Sequence, residues 1–153
     1  MSTNKYRTSR CILKSSDEFL LVVHNNAQGV NRGIWGLPGG RIDWGEKPAQ
    51  AARREIYEEL ETDVDELHEV GDWAYKGYQH KIYGTLFNGK LGRIDTTEIL
   101  QVDWFTLDDI RVLSDKDKLH AGFELESVER FVALLAELSP LNGGRKRKRG
   151  KRS

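Results

Sequence analysis

The stretch that decides the fold is IWGLPGGRIDWGEKPAQAARREIYEEL, which runs from Ile34 to Leu60. Its first half is rich in glycine, and its second half has the composition of an acidic helix. Pro48 suits the first turn of a helix, where its missing N–H leaves no hydrogen bond unmade, so we expect a helix from Pro48 to about Leu60. An apolar residue recurs at every fourth position and predicts a face packed on a core: Ala52, Ile56 and Leu60.

Three glutamates of this predicted helix, Glu55, Glu58 and Glu59, stand at positions i, i+3 and i+4 and therefore share one face. Like charges at these spacings repel by roughly 0.2–0.5 kcal/mol per pair, so stability does not explain them. Hard divalent cations such as Mg²⁺ do prefer carboxylate oxygens. Arg54 lies beside this face and can orient one carboxylate through a charge-assisted hydrogen bond. An ordinary solvated helix rich in glutamate is the alternative.

The loop before the helix contains four glycines (Gly36, Gly39, Gly40 and Gly45). Glycine adopts backbone conformations closed to other residues and lets a ligand approach the main chain. Because Gly39 and Gly40 precede the helix by a short connection, a main-chain carbonyl there can join the carboxylates as a ligand. A tight structural loop would use the same glycines.

Together, these residues resemble the signature box of the Nudix (MutT-like) hydrolases. Gly40 is followed after five residues by Glu46 and, after seven more, by the run Arg54-Glu55-Ile56-Tyr57-Glu58-Glu59. Leu37-Pro38-Gly39 also matches the family pattern, and the order of elements is compatible over most of residues 8 to 138. The resemblance implies an α/β Nudix fold, a mixed β-sheet sandwiched between α-helices, in a domain spanning residues 1–140.

The resemblance also implies an activity, the hydrolysis of a pyrophosphate bond in a nucleoside diphosphate linked to another group. The substrate would be a nucleoside triphosphate, a dinucleoside polyphosphate or a nucleotide sugar. The matching positions that would bind Mg²⁺ or Mn²⁺ are the Gly39 carbonyl, Glu55, Glu58 and Glu59. Glu46 would support this site, and Arg54 would hold a glutamate in place.

An additional acidic residue from a later loop often acts as base or ligand in this family. Glu98, which lies six residues before Trp104-Phe105, matches that place loosely. A surface glutamate without a catalytic role is the alternative.

The sequence departs from the family pattern at the end of the box, where Glu61 and Thr62 replace the usual glycine and apolar residue. That glycine normally ends the helix in a left-handed conformation. Another residue there costs about 1 kcal/mol. We expect either that the helix continues slightly or that Asp63 provides the cap, and we still expect catalysis because no ligand position is lost.

Outside the box, alternating apolar residues and turn signals predict further elements. The predicted strands are Arg10–Leu13, Phe19–Val23, Val70–Tyr75, Lys81–Phe87 and Leu100–Phe105. His24–Gly33 is a predicted loop, and Asn88-Gly89 predicts a hairpin. A second long helix is predicted over Phe123–Leu138, with an apolar stripe of Leu125, Val128, Val132, Leu135 and Leu138.

Residues that recognise the substrate are harder to predict. Five aromatic residues are candidates for stacking on a base, although most aromatic residues at strand positions simply belong to the core: Trp35, Trp73, Tyr75, Tyr78 and Tyr83. The four histidines show no spacing typical of metal ligands, so we expect structural or surface roles for them.

The zero net charge hides an asymmetry, because Arg145–Ser153 carries seven Lys or Arg and no acid. Subtracting those seven from the chain's 24 basic residues leaves 17 against 24 acidic residues, a net charge of −7 for the rest of the chain. We expect residues 141–153 to form a disordered basic tail. Such a tail can bind RNA, but a solvated tail is the simpler interpretation, and we expect a small nucleotide as the partner.

Other features exclude several classes of protein. No apolar run approaches the roughly 20 residues that span a bilayer, so we expect no membrane partner. A single cysteine, Cys11, cannot form an internal disulfide, and the N-terminus lacks the apolar centre of a signal peptide. These features predict a cytoplasmic protein. The alternatives to the enzyme are a nucleotide-binding Nudix module without catalysis and an RNA-associated protein directed by its basic tail, and no oligomeric state is predicted.

Overall fold

The computed structural model describes residues 5–25 and 33–139, which contain six strands and three helices. In chain order these are β1 (Tyr6–Ser15), β2 (Glu18–His24), β3 (Gly39–Arg41), α1 (Pro48–Leu60), β4 (His68–Tyr75), β5 (Tyr78–Leu86), β6 (Ile99–Thr106), α2 (Leu107–Asp115) and α3 (Glu124–Leu138). Among these described residues, no helix is both long and apolar enough to cross a membrane. Residues 26–32 of the predicted loop and the predicted tail, residues 141–153, lie outside the described residues.

The strands form one mixed sheet in the order β4-β5-β1-β2-β6. β1 runs parallel to β5 and antiparallel to β2. The short strand β3 pairs with the first half of β1, with Arg10 opposite Gly39, whereas β2 pairs with the last residues of β1. The end of the glycine-rich loop is therefore fixed to the sheet just before α1 begins.

Helices cover both faces of this sheet. Successive residues of a strand point to opposite faces, so neighbouring residues of β1 contact different helices. Cys11 and Leu13 of β1 belong to a cluster with Ala52, Ile56 and Leu60 of α1. Ile12, between them, belongs to a second cluster on the other face, which contains Ile110 of α2 and the α3 residues Val128 and Phe131. This arrangement confirms the predicted mixed sheet sandwiched between helices.

The predicted bounds of α1 are confirmed, but the predicted hairpin at Asn88-Gly89 is wrong. β5 pairs with β4 and β1, and the next strand, β6, pairs with β2 on the far side of the sheet. The hairpin lies one strand earlier, between β4 and β5, where Lys76 and Gly77 have φ values of 51° and 82°. Positive φ at both central residues is typical of a tight two-residue turn. Residues 87–98 instead connect β5 to β6 across the end of α1.

Two elements were not predicted, β3 and α2. Thr106 and Asp109, which follow the predicted strand Leu100–Phe105, form a capping box at the start of α2. The Thr106 hydroxyl accepts a hydrogen bond from the Asp109 N–H at 3.1 Å, and the Asp109 carboxylate accepts one from the Thr106 N–H at 3.0 Å. The apolar stripe of α3 was also partly wrong, because Val132 and Leu138 are exposed while Phe131 is fully buried.

The end of α1 follows neither expectation, because Glu61 itself provides the left-handed cap. Its φ and ψ are 49° and 48°, and its N–H donates to the Tyr57 carbonyl at 2.9 Å. The helix therefore ends where the family pattern ends it, without the glycine. Asp63 is exposed, and Thr62 points inward.

The packing of α3 on the sheet predicts a cost for a single added methyl group at Gly84. A Cβ built on Gly84 would lie 2.6 Å from the ring of Phe131, which is fully buried and cannot move aside. We expect Gly84→Ala to lower the free energy of unfolding by about 1–3 kcal/mol in chemical denaturation. Gly89→Ala is the control, because its Cβ would make only ordinary contacts at 3.5 Å with Phe87. Equal stability of the two variants would contradict this account of the packing.

Candidate active site

The candidate site lies where α1 meets β3, and its central group is the carboxylate of Glu59. The helix periodicity that buries Ile56 and Leu60 also turns Glu59 inward, so that this residue is only 1% exposed. Its Oε1 accepts a hydrogen bond from the Gly39 N–H at 3.1 Å. Gly39 has φ 137°, and a Cβ there would lie 2.4 Å from the Ser9 carbonyl oxygen, so only glycine fits.

Two further carboxylates join Glu59. Glu55, one helical turn earlier, lies so close to the loop that a Cβ on Gly40 would be 2.6 Å from its carboxyl carbon. Glu98 comes from the connection between β5 and β6. One oxygen from each of Glu55, Glu59 and Glu98 lies within 4.8 Å of the others. The structure thus brings together two residues of the predicted helix face and the loosely matched Glu98; we call these three residues the acidic cluster.

Arg54 forms hydrogen bonds with carboxylates at one edge of this cluster. Its guanidinium donates two hydrogen bonds to Glu46, at 2.8 and 3.0 Å, and one to Glu55 at 3.2 Å. It also binds Glu58 at 3.1 Å, so the exposed Glu58 carboxylate points to Arg54 and lies outside the acidic cluster. The hydrogen bonds to Arg54 lower the pKa of Glu46, and those to Glu46 raise the pKa of Arg54.

Burial makes the ionised forms of Glu55 and Glu59 costly. Desolvation, followed by the charge of Glu59, raises the pKa of Glu55 to about 7. Desolvation also raises the pKa of Glu59 to about 7, against the effect of its hydrogen bond from Gly39. A bound cation would favour the ionised carboxylates and offset this cost.

Two residues of the site were missed in the sequence. His24 ends β2 beside Ile99, and its Nε2 lies 3.4 Å from Glu59 Oε2. Burial lowers the pKa of His24 to about 4, so the imidazole is neutral at neutral pH. Arg10 donates hydrogen bonds at 3.2 Å to the carbonyls of Leu37 and Gly39. Pairing between distant strands brings both residues here, and no local spacing in the sequence signals it.

The donors present fit a hard divalent cation. Ligands of an octahedral ion bound at about 2.1 Å lie roughly 3 to 4.2 Å apart, close to the separation within the acidic cluster. Gly39 contacts the cluster through its N–H, and its carbonyl oxygen has a second lone pair beside the one that Arg10 uses. The arrangement can therefore bind a metal ion through oxygen ligands and present it to a phosphate.

The aromatic candidates have different surroundings. Tyr78 is half-exposed, and the Arg7 guanidinium lies 4.3 Å from its ring centroid. Tyr75 packs against His120 and Phe123 with ring centroids 5.7 and 6.4 Å apart. The remaining three are partly buried or buried in the sheet layers: Trp35, Trp73 and Tyr83.

Comparisons with known proteins show which family the chain resembles. The family model described as NUDIX domain matches residues 5–129. An RNA pyrophosphohydrolase from Rhodopseudomonas palustris (strain BisB18) is 30% identical over 168 aligned positions, covering 91% of this chain and 95% of that protein. The match to an RNA pyrophosphohydrolase from Bradyrhizobium sp. (strain ORS 278) is 31% identical, covers 59% of this chain and spans just under two thirds (66%) of that relative.

Solved structures show the same fold. A MutT NUDIX hydrolase from Burkholderia pseudomallei is 26% identical, with a TM-score of 0.54 over 69% of this chain and 87% of that one. An Ap4A hydrolase from C. elegans has a TM-score of 0.64 at 20% identity, over 86% of this chain and 99% of that one.

The raised pKa values predict how the stability of the metal-free protein changes with pH. Both carboxyls shift from an ordinary value of 4.5 to about 7 in the folded state, so the folded state binds more protons between these values. The stabilisation is complete below about pH 4.5 and is lost as pH rises through 7. We expect the Tm of the metal-free protein to fall between pH 5 and pH 8, and Glu59→Gln to flatten this fall.

Thermal unfolding in a chelating buffer measures this effect. Glu137→Gln, which changes an exposed carboxyl on α3, is the control and should follow the wild type. Mg²⁺ added at pH 8 should raise the Tm, because it binds the ionised form. A pH-independent Tm in the metal-free wild type would contradict this account of the cluster.

Proposed function

The chain belongs to the Nudix hydrolase family, and from this premise we propose that it is a pyrophosphohydrolase acting on phosphorus anhydrides. We propose as its substrate the polyphosphate at the 5′ end of an RNA. The observation that carries the chemistry is the acidic cluster, whose three carboxylates come within 4.8 Å of one another. The alternative of a module that binds without cleaving has no support from these residues, because every carboxylate of the box is present.

Within this proposal, the groups that would hold Mg²⁺ or Mn²⁺ are Glu55, Glu59, Glu98 and the Gly39 carbonyl. Their oxygen donors suit both ions, and their separation fits an octahedral site. Glu58 remains a predicted ligand. Its exposed carboxylate accepts a hydrogen bond from Arg54 and lies outside the acidic cluster. Such an ion would neutralise phosphate charge and favour the ionisation of the attacking water.

The protein groups then have separate tasks. The Gly39 N–H fixes the orientation of Glu59, and Arg54 fixes that of Glu55. We propose that Glu98 accepts the proton of the attacking water, because its carboxylate is exposed and can pass that proton to solvent. Attack on phosphorus breaks the anhydride P–O bond, and the leaving phosphate takes the bonding electrons.

The choice of RNA has two supports. The Rhodopseudomonas palustris relative, named RNA pyrophosphohydrolase, aligns with nearly the whole chain. The seven basic residues of Arg145–Ser153 supply positive charge that attracts a polyanion. Small nucleotides are the alternative substrates. The Ap4A hydrolase structure supports this alternative only through a shared fold.

A substrate panel tests the proposal. Purified protein with Mg²⁺ or Mn²⁺ is offered 5′-triphosphate RNA, nucleoside triphosphates, dinucleoside polyphosphates and nucleotide sugars. We expect the highest kcat/KM with RNA. We expect the double substitution Glu58→Gln, Glu59→Gln to lower kcat on the order of 10³-fold. Glu137→Gln is the control and should retain wild-type turnover.

The outcomes separate the alternatives. A preference for a free nucleotide or a dinucleoside polyphosphate would replace RNA with that substrate and leave the metal site unchanged. Turnover that survives the double substitution would refute the assignment of the acidic cluster.

Deleting Arg145–Ser153 tests the contribution of the basic segment. We expect KM for 5′-triphosphate RNA to rise and its dependence on salt to weaken, because each lost phosphate contact removes about 0.7 from the slope of log affinity against log salt for a single strand. Turnover of a nucleoside triphosphate is the control and should stay unchanged. An unchanged KM and salt slope for RNA would show that the segment is not a nucleic-acid arm.

A further inference from the structure

Glu61 stands where the family pattern has glycine, and it adopts the left-handed conformation that glycine favours. Backbone geometry alone would select glycine at this position. The carboxylate of Glu61, however, has a specific partner: its Oε1 accepts a hydrogen bond from the Arg93 N–H at 2.8 Å. The side chain thus connects the end of α1 to the chain between β5 and β6.

Two backbone hydrogen bonds reinforce this connection. The Gly92 N–H donates to the Leu60 carbonyl at 2.8 Å, and the Asp95 N–H donates to the Glu59 carbonyl at 3.0 Å. Gly92 permits the close approach, since a Cβ there would lie 2.4 Å from the Glu61 carbonyl oxygen. We call residues Gly92–Asp95, which make these contacts with the last turn of α1, the docked segment.

The docked segment leads directly to Glu98. The N–H groups of Glu98 and Ile99 both donate to the Asp95 carbonyl, at 3.0 and 2.8 Å. The Asp95 carboxylate accepts hydrogen bonds from the N–H and hydroxyl of Thr97. This turn fixes Glu98 relative to Asp95, so a shift of the docked segment along α1 would move Glu98 relative to Glu55 and Glu59.

We propose that Glu61 is a positioning residue for the acidic cluster: its hydrogen bond to the Arg93 amide fixes the docked segment and thereby sets the Glu98 carboxylate against Glu55 and Glu59. The inference rests on the role that the proposed function gives to this cluster. It explains why a residue with a carboxylate occupies a position whose backbone favours glycine.

Apolar packing separates this role from simple stability. Leu91 and Ile94 pack against the core cluster that contains Leu60, so the connection stays near α1 without help from Glu61. Removing the Glu61 side chain should therefore shift the segment slightly and leave the fold intact. A displacement of about 1 Å at a catalytic group is enough to lower a rate by up to roughly 100-fold.

The test compares Glu61→Gly with Glu61→Gln in the full chain. Glu61→Gly restores the residue of the family pattern and removes the carboxylate, so we expect a Tm at or above that of the wild type. We also expect faster hydrogen exchange at the Arg93 amide, weaker binding of Mn²⁺ in calorimetry, and a kcat about ten-fold lower with little change in KM. Glu61→Gln keeps an oxygen acceptor and should restore most of the kcat. Asp63→Asn, an exposed acidic residue nearby, is the matched control.

A double-mutant cycle with Glu98→Gln identifies the route of the effect. If Glu61 acts through Glu98, then Glu61→Gly should cost little further activity in a Glu98→Gln background. Additive losses, or wild-type kcat and Mn²⁺ affinity in Glu61→Gly, would overturn the inference. Wild-type kcat in Glu98→Gln alone would instead refute the role of Glu98 in the proposed function, and positioning by Glu61 would fail with it. Faster hydrogen exchange at the Arg93 amide in Glu61→Gly would then show that the contact between Glu61 and Arg93 is purely structural.

Discussion

The structure around the site depends on one constraint, the burial of the Glu59 carboxylate between α1 and β3. A buried carboxylate needs hydrogen-bond partners and a compensating charge. Gly39 supplies one N–H, and it can do so only because it lacks a side chain at a point where the backbone passes close to Ser9. The glycine at position 39 thus follows from the need to bring a main-chain N–H against a buried acid.

The charges around Glu59 are balanced only in part. Arg54 neutralises Glu46 and Glu55 from one side, and Arg10 lies on the other side, where it binds the Gly39 carbonyl. Glu59 itself has a neutral histidine, His24, at 3.4 Å and a second carboxylate, Glu55, one turn away. Among the described residues, the positive charges beside these acids are too few to satisfy them, and the remaining negative charge supports the proposal that a divalent cation binds here.

The parts of the fold that could be predicted from the sequence are those fixed by local chemistry. Pro48 and the four-residue spacing of Ala52, Ile56 and Leu60 predicted α1 with its correct bounds. The hairpin at Asn88-Gly89 failed because a turn signal does not determine which strands pair, and this chain uses those residues to cross over α1. β3 could not be predicted because three residues, Gly39–Arg41, become a strand only by pairing with β1.

The same distinction applies to the site. Glu55 and Glu59 were predicted because one helix face brings them together, and that face needs no knowledge of the tertiary fold. Arg10 and His24 were missed because only strand pairing carries them to the acidic cluster. Glu98 was found through a family resemblance, since its position depends on contacts between the connection after β5 and the last turn of α1.

The distribution of charge also constrains how a substrate can approach. Outside Arg145–Ser153 the chain carries seven more acidic than basic residues, so the body of the protein repels a polyphosphate or an RNA. In the proposed function, a cation held by the acidic cluster would reverse the sign of the charge at the place where the phosphates would bind. The basic segment adds positive charge that is linked to the domain but needs no fixed geometry, because attraction to phosphates acts over a distance of roughly 8–10 Å at physiological salt. The proposal therefore assigns binding of the reacting phosphates to the acidic cluster and attraction of the rest of a polyanion to the basic segment.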